Sequence, residues 1–477
     1  MATMLKIASL FSGAGGLDWG FKMVGTYDIV FANDVLYAAT LTYSRNFGMK
    51  LIECGEDVVE AVPRAVMACD VEKIIFSPLA DKVDILIGGP PCQDFSIIRG
   101  PPWDRNGIKV KRGKLYAHFV RALAVLQPKA FVFENVPGLL SANDGYAFRT
   151  IIEDLAKLNI RWKDIKKMLS LEVNGRVVNS GYEIIYSGVS DFSALGVPQR
   201  RKRLIIVGIR RDLFSSPQQI REAKTLLERA ISGDGSLFKK YPLTPLEVFE
   251  GRALTQLQDS YVEIMEKWKG IWREVGTERA KRWKREVWDK LTLDVVEDYL
   301  RLNGIERADE AEFEEAMKLH EGTLKQLGYY GVPVAELRLP DGTTDLPKNG
   351  RNTVERVRRI PPGENHEFVY GTRWEVEGKG ISLVYRRLHP LQPAYTVVAY
   401  GGGGTYGYHY DRDRAALTLR EKARLQTFPD SFLFYGSKAQ IRAQIGEAVP
   451  PLAAAEIAKA LLRILEKLEP LSPIPKA

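Results

Sequence analysis

The sequence predicts an α/β protein with a doubly wound sheet, joined to a second, smaller folded unit. Three observations carry this. Short β-branched runs bounded by Gly, Asp, Asn or Pro alternate with longer stretches of helical periodicity as far as residue 212. The chain has 477 residues, more than one average domain. Beyond Asp212 the texture changes to charged, helical segments. Alternation of strands and helices argues for a doubly wound sheet, with ligands at the carboxyl ends of the strands.

Taken in order, the strand-like runs are 7–10, 29–31, 85–87, 131–133 and 204–209, and 115–126 and 148–158 have helical spacing. Residues 251–330 are charged, rich in Leu and Trp, and predict an all-helical insertion. Residues 350–410 read as β-like and loop-rich, and 418–465 as helical again. The Pro-rich end LEPLSPIPKA is expected to fray.

Composition is that of a globular enzyme, with 45% hydrophobic and 27% charged residues. No window approaches the roughly 20 apolar residues of a membrane span. The start MATMLKIASLF reads as a first strand rather than a signal peptide, so a cytoplasmic location is expected. Three cysteines, Cys54, Cys69 and Cys92, lie apart without CxxC spacing, so neither a disulfide framework nor a metal site is expected. Cys54 and Cys69 read as small buried hydrophobes. A formal charge of +8 is compatible with a polyanionic partner, and basic clusters fall at 199–211, 267–290 and 351–359.

Four segments bear chemistry. IASLFSGAGG from Ile7 is a strand entering a glycine turn, whose backbone can approach a ligand closely. It lacks GxGxxG, which disfavours a dinucleotide. Asp34 follows the next strand, where an acid can bind ribose hydroxyls; Asp70 follows later. Each can equally be a helix cap. GGPPCQDFS from Gly88 sets Cys92 directly after a buried strand and a rigid Pro-Pro turn, the setting of a nucleophilic thiolate. The following stretch, 97–112, is rich in Gly, Pro, Arg and Lys, as expected of a mobile loop. FVFENVP from Phe131 ends a strand with Glu134 and Asn135, a partly desolvated position that suits a carboxyl group to proton donation. QRRKR from Gln199 precedes an apolar strand and can turn one or two arginines inward toward carboxylate or phosphate.

In this order, these segments resemble the DNA (cytosine-5-)methyltransferase family of the prokaryotic restriction-modification type. The motifs are FSGAGG, GGPPCQDFS, RGKLY from Arg112, FENVPG, GVPQRRKR, LTLREKARLQTFPD from Leu417 and QIGEAVPP from Gln444. The resemblance covers nearly the whole chain except roughly 251–345. It implies a Rossmann-like S-adenosylmethionine-dependent methyltransferase sheet with a smaller target-recognition domain carrying a helical insertion. The implied domains are 1–239, the first part of the catalytic domain; 240–410, recognition, with the insertion at about 251–340; and 411–468, returning to the catalytic domain.

The resemblance further implies that Phe11, Gly13, Ala14, Gly16, Asp34, Val35, Asp70, Val71, Pro91, Leu115, Glu447 and Ala448 form the S-adenosylmethionine site. Asp34 would meet the ribose and Asp70 the adenine. Cys92 would attack C6 of a cytosine swung out of duplex DNA, with Gln93 and Asn135 in the catalytic group. Glu134 would act at N3, and Arg203 would hold base and carboxylate. The loop 93–112 would close over the DNA. Ser96, Ile98, Arg99, Arg112, Arg201, Arg386, Arg387, Tyr395, Thr396, Gly402 and Gly403 would contact the DNA. Two departures stand out. Glu447 replaces the usual Asn of GNAVPP, and Lys114 stands where a small hydroxyl residue is usual.

Trp268, Trp272, Trp283 and Trp288 lie among Lys and Arg. The spacing of Trp268 and Trp272 predicts one helix face packed on a neighbour, with base stacking as the alternative. The leading reading is a sequence-specific DNA methyltransferase, functionally paired with a companion endonuclease. The rivals are an RNA (tRNA) cytosine-5 methyltransferase and a catalytically silent DNA-binding relative.

Overall fold

A computed structural model of the chain describes residues 4–91, 114–175, 181–376, 384–400, 405 and 407–468. Among these the strands are β1 (Leu5–Leu10), β2 (Tyr27–Asp34), β3 (Lys50–Glu53), β4 (Val59–Glu60), β5 (Ala65–Ala68), β6 (Ile74–Ile75), β7 (Ile85–Gly88), β8 (Ala130–Asn135), β9 (Tyr182–Asp191), β10 (Gln199–Arg200), β11 (Lys202–Arg210) and β12 (Ala394–Tyr395). The residues fall into two compact units. The first comprises 1–191, 202–234 and 448–477; the second comprises 192–201 and 235–447. The segment expected to return to the catalytic unit from 411 therefore does so only from Ala448.

The first unit holds an eight-stranded sheet of order β3-β5-β2-β1-β7-β8-β11-β9. β11 runs antiparallel between β8 and β9, and the other pairings are parallel. β7 and β8 are buried along their whole length, which explains their unbroken apolar runs. The chain leaves β1 toward β2 on one side and later returns to β7 on the other. The gap between the carboxyl ends of β1 and β7 is thus the topological switch point, where such sheets bind ligands.

Helices complete the layers: α1 (Gly16–Val24), α2 (Tyr37–Phe47), α3 (Leu115–Leu126), α4 (Tyr146–Lys157), α5 (Lys163–Val173) and α6 (Pro217–Ser232). A final helix, Pro451–Leu468, packs on α1. A Cβ on Gly20 of α1 would lie 2.4 Å from Ala454 Cβ, so only glycine allows this approach. The Tyr27 hydroxyl donates to Ala458 O at 2.7 Å across the same layer. α3 is buried from Tyr116 to Leu126, yet it carries Arg121.

Cys54 and Cys69 are not separate buried thiols. They form a disulfide with a Cα–Cα distance of 5.3 Å. Parallel pairing of β3 with β5 sets Glu53 opposite Ala68, so the next residue of each chain faces its counterpart. Distant spacing in sequence hid a proximity that strand register creates.

The second unit is largely helical between 245 and 326. The stretch expected to be β-like departs from that expectation. Among its described residues are a helix, Arg351–Val357, and the two-residue β12. Strand-type main-chain pairing among these residues amounts to β12 and isolated bridges of Tyr408 with Arg387 and Ala416, and side chains meet other carbonyls. Arg387 donates to Ile360 O, Val357 O and Asp411 O at 2.6 Å each, and also to His409 O. Trp268 and Trp272 do not share a helix either. Trp268 lies in the turn between helices Gln258–Glu266 and Ile271–Val275, and Trp272 lies in the latter. Trp268 is fully buried in an apolar cluster with Trp283 and Phe368, its indole donating to Tyr410 O at 3.2 Å.

Candidate active site

Within the first unit, the predicted residues gather at one end of the sheet because they follow parallel strands. β1 ends in a tight turn. Phe11 takes a left-handed conformation at φ 55, unusual for a residue with a side chain, and Gly13 and Gly15 follow at φ 54 and 93. Gly13 N–H donates to Asp34 Oδ2 at 2.9 Å and Leu36 N–H to Oδ1 at 2.9 Å, so the carboxylate at the end of β2 braces the glycine turn. Burial pushes the Asp34 carboxyl up, and the backbone amides of Leu36, Gly13 and Val35 pull it back. Ala14 and Gly16 are buried beneath the turn.

A nucleoside-bearing ligand fits here on three observations. A Cβ on Gly13 would meet nothing within 4 Å, so the space beside the turn is open. Ser12 Oγ is buried without a hydrogen-bond partner. Val35 is 64% exposed directly after the carboxylate, as an apolar wall for a flat ring would be. At the end of β5, Asp70 caps a single 3-10 turn, Val71–Lys73, accepting Glu72 N–H at 3.0 Å. Asp70 is exposed and Val71 buried. Leu115 opens α3 and is half-buried.

The second half of the site lies at β7 and β8. Gly88 and Gly89 follow from packing. A Cβ on Gly88 would come 2.3 Å from Leu10 O, and one on Gly89 2.9 Å from Glu134 Oε2. The Asn135 amide donates to Pro90 O at 3.1 Å, and its oxygen accepts Val136 N–H. Asn135 thus fixes the turn at Pro90, and Pro91 beyond it is exposed. β11 is antiparallel to β8 and pairs Leu204 with Asn135, so its first residues lie beside the last of β8. Arg203 Nε consequently stands 3.0 Å from Glu134 Oε1, with side chains 14% and 12% exposed. This is a charge-assisted pair at a nearly dry site.

In the second unit, β10 and β12 pair in parallel, Gln199 with Ala394 and Arg200 with Tyr395. Thr396 is exposed and donates to Arg200 O at 2.7 Å; Arg386 stacks over the Tyr395 ring at 4.1 Å. Arg201 and Arg387 differ from expectation. Both are fully buried, Arg201 donating to Val397 O and Gly446 O, so neither presents a guanidinium to an external ligand. Glu447 is exposed at the end of helix Lys438–Glu447, and Ala448 is half-buried. Lys114 Nζ lies 3.7 Å from Asp164 Oδ2. Cys92, Gln93, Ser96, Ile98, Arg99, Arg112, Gly402 and Gly403 lie outside the described residues, as does the loop 93–112.

Sequence reasoning missed the supports of these turns. Asn33 donates to Met67 O at 3.1 Å and Cys69 O at 2.8 Å, and Tyr43 donates to buried Asp18 at 2.7 Å beneath the glycine turn. Their only sequence signal was polar residues in otherwise apolar stretches.

This sheet, with a glycine turn after β1 and a carboxylate closing β2, has the Rossmann-like form of S-adenosylmethionine-dependent methyltransferases. The chain matches the family described as C-5 cytosine-specific DNA methylase over residues 5–463, and it belongs to that family. It is a DNA (cytosine-5-)methyltransferase. It is 63% identical over 461 residues to the DNA (cytosine-5-)-methyltransferase M.ApeKI of Aeropyrum pernix, covering 96% of this chain and 98% of the relative. It is 32% identical to the type II methyltransferase M.NgoFVII of Neisseria gonorrhoeae, covering 96% and 87%. Against the type II methyltransferase M.BbvI of Brevibacillus brevis it is 29% identical, covering 96% and 91%. No described helix is long and apolar enough to cross a membrane.

Proposed function

We propose that the chain methylates C5 of a cytosine flipped from a specific site in duplex DNA, using S-adenosylmethionine and a transient bond between Cys92 and C6. The observation that carries this reading is the Arg203–Glu134 pair at 3.0 Å, beside the Gly89–Pro90 turn that precedes Cys92 in the sequence.

Phe11, Gly13, Asp34, Val35, Asp70 and Leu115 would hold the cofactor, Asp34 through its remaining lone pairs on the ribose. When bound, S-adenosylmethionine supplies an electrophilic methyl group. The Cys92 thiolate adds to C6, and the electron pair of the C5–C6 bond moves to C5. Glu134, oriented by Arg203, hydrogen-bonds or protonates N3 and stabilises the ring as charge develops. C5 would then take up the methyl carbon as the bond from that carbon to the cofactor's sulfonium sulfur breaks, its electron pair staying on sulfur. Loss of the C5 proton to a base restores the C5–C6 double bond and expels Cys92 as thiolate. Both ring faces must be reached, so the base has to leave the stack.

The second unit would provide target recognition, with Arg386, Tyr395 and Thr396 on its DNA-facing side. A companion endonuclease and a cytoplasmic, nucleoid-associated setting follow from the restriction-modification reading. The test is Cys92→Ser assayed for methyl transfer and DNA binding. Turnover is expected to vanish while binding stays within about threefold, because one nucleophilic atom is replaced without loss of a DNA contact. Retained turnover would refute the covalent route.

A further inference from the structure

We infer that Arg121 and Glu172 form a buried positioning pair that presents the Asp70–Val71 turn to the cofactor, an assignment that rests on the S-adenosylmethionine reading of that turn. Arg121 of α3 sends Nη2 to Val71 O at 3.0 Å and Ile74 O at 2.9 Å, the two carbonyls that bracket the 3-10 turn after Asp70. Its Nη1 meets Glu172 Oε2 of α5 at 2.9 Å. The other Glu172 oxygen accepts Phe76 N–H at 2.5 Å, and the Phe76 ring lies 4.8 Å from the guanidinium. Both side chains of the pair are fully buried.

The opposite end of the turn is held by Asn33, which donates to Cys69 O while the next residue, Asp34, braces the glycine turn. Asn33 thereby ties the two candidate cofactor carboxylates together, and Arg121 fixes the far side. α3 also contributes Leu115, six residues before Arg121, so one helix serves two faces of the same site.

A buried ion pair is a poor way to gain stability. Apolar residues of similar volume often do as well or better, because desolvation of both charges is avoided. What an apolar pair cannot do is hold two main-chain carbonyls of the turn after exposed Asp70 at a fixed place. That is the function the geometry assigns to Arg121, with Glu172 keeping its guanidinium in register.

The experiment measures S-adenosylmethionine binding by calorimetry and steady-state methylation of genomic DNA for Arg121→Met, Arg121→Lys, Glu172→Gln and a reference variant, Asp70→Ala. Arg121→Met and Glu172→Gln are expected to weaken S-adenosylmethionine about tenfold and raise its KM alike. With saturating cofactor, kcat and the KM for DNA should stay within about twofold, because the pair touches neither reacting atoms nor DNA. Arg121→Lys should recover part of the affinity, since the ammonium keeps charge and donors near Glu172 but lacks the planar fork that reaches Glu172 and the two carbonyls together. If Asp70→Ala loses affinity while folded Arg121 and Glu172 variants keep it, the positioning role is refuted. If Asp70→Ala itself binds normally, the cofactor reading of the turn fails instead. Should Arg121→Met not fold, Arg121→Lys and Glu172→Gln decide by the same criterion.

Discussion

Arg386 and Arg387 are adjacent in sequence and opposite in environment. Arg386 is half-buried over Tyr395, whereas Arg387 is enclosed by main-chain carbonyls. Replacing Arg387 by Met should cost roughly 3 kcal/mol or more, because several buried acceptors lose their donor together. Arg386→Ala should leave stability within about 0.5 kcal/mol and weaken DNA binding, as thermal unfolding and binding titrations can check. No sequence feature separates the two, since burial of an arginine depends on which carbonyls the tertiary fold leaves unpaired. By contrast, Gly13, Gly88 and Cys92 stood out because glycine and proline beside an apolar strand already imply a strand-end turn. A second prediction concerns Asp18, buried under the glycine turn, whose pKa burial raises from 3.8 to about 6 against the hydrogen bond from Tyr43. A raised acid favours the protonated folded state. Its stabilising contribution is therefore complete below pH 3.8 and lost as pH rises through about 6. Asp18→Asn should raise stability by up to about 3 kcal/mol at pH 8 and by almost nothing near pH 4, read from denaturation at each pH.

At the scale of elements, apolar period and bounding residues made the sheet legible. The run 85–87 became β7, 204–209 lies within β11, and 115–126 is α3. Residues 350–410 depart from the β-like expectation because aromatic and β-branched residues also suit a loop packed on a core, and here the Arg387 side chain takes up carbonyls that few strand pairings reach. The disulfide was hidden for the same kind of reason, since it depends on β3 lying beside β5. Helix Glu310–Gln326 illustrates an element held by charge. Buried His320 places Nδ1 2.8 Å from Glu247 Oε1 and Nε2 3.0 Å from Tyr241 O. Both partners are acceptors when Glu247 is ionised, so both ring nitrogens carry protons and the imidazole is cationic. Burial pushes its pKa down, but the Glu247 carboxylate and the two hydrogen bonds outweigh this and hold it above the ordinary histidine value. The contribution is thus complete below about pH 6.5 and lost as pH rises through the higher folded value. His320→Gln should be less stable than the parent at pH 6, and the gap should narrow as pH rises; a gap constant across that range would contradict the cationic assignment.

At the scale of the molecule, the first unit is assembled from three stretches of chain around one sheet, and the second is inserted between them. Under the proposed function, that discontinuity lets residues as distant in sequence as Phe11 and Ala448 belong to one unit, so the order of the motifs carries more than any single motif. It also divides the labour proposed here, with chemistry at the ends of β1, β7 and β8 and target choice in the second unit. The central claim is sequence-specific methylation of cytosine C5 in duplex DNA. Its most direct test is to incubate the protein with unmethylated genomic DNA and S-adenosylmethionine, then map 5-methylcytosine at base resolution. Methylation confined to one short recurring motif, and absent with Cys92→Ser, is the predicted result. Folded protein that leaves duplex DNA unmethylated across a range of temperatures would contradict it.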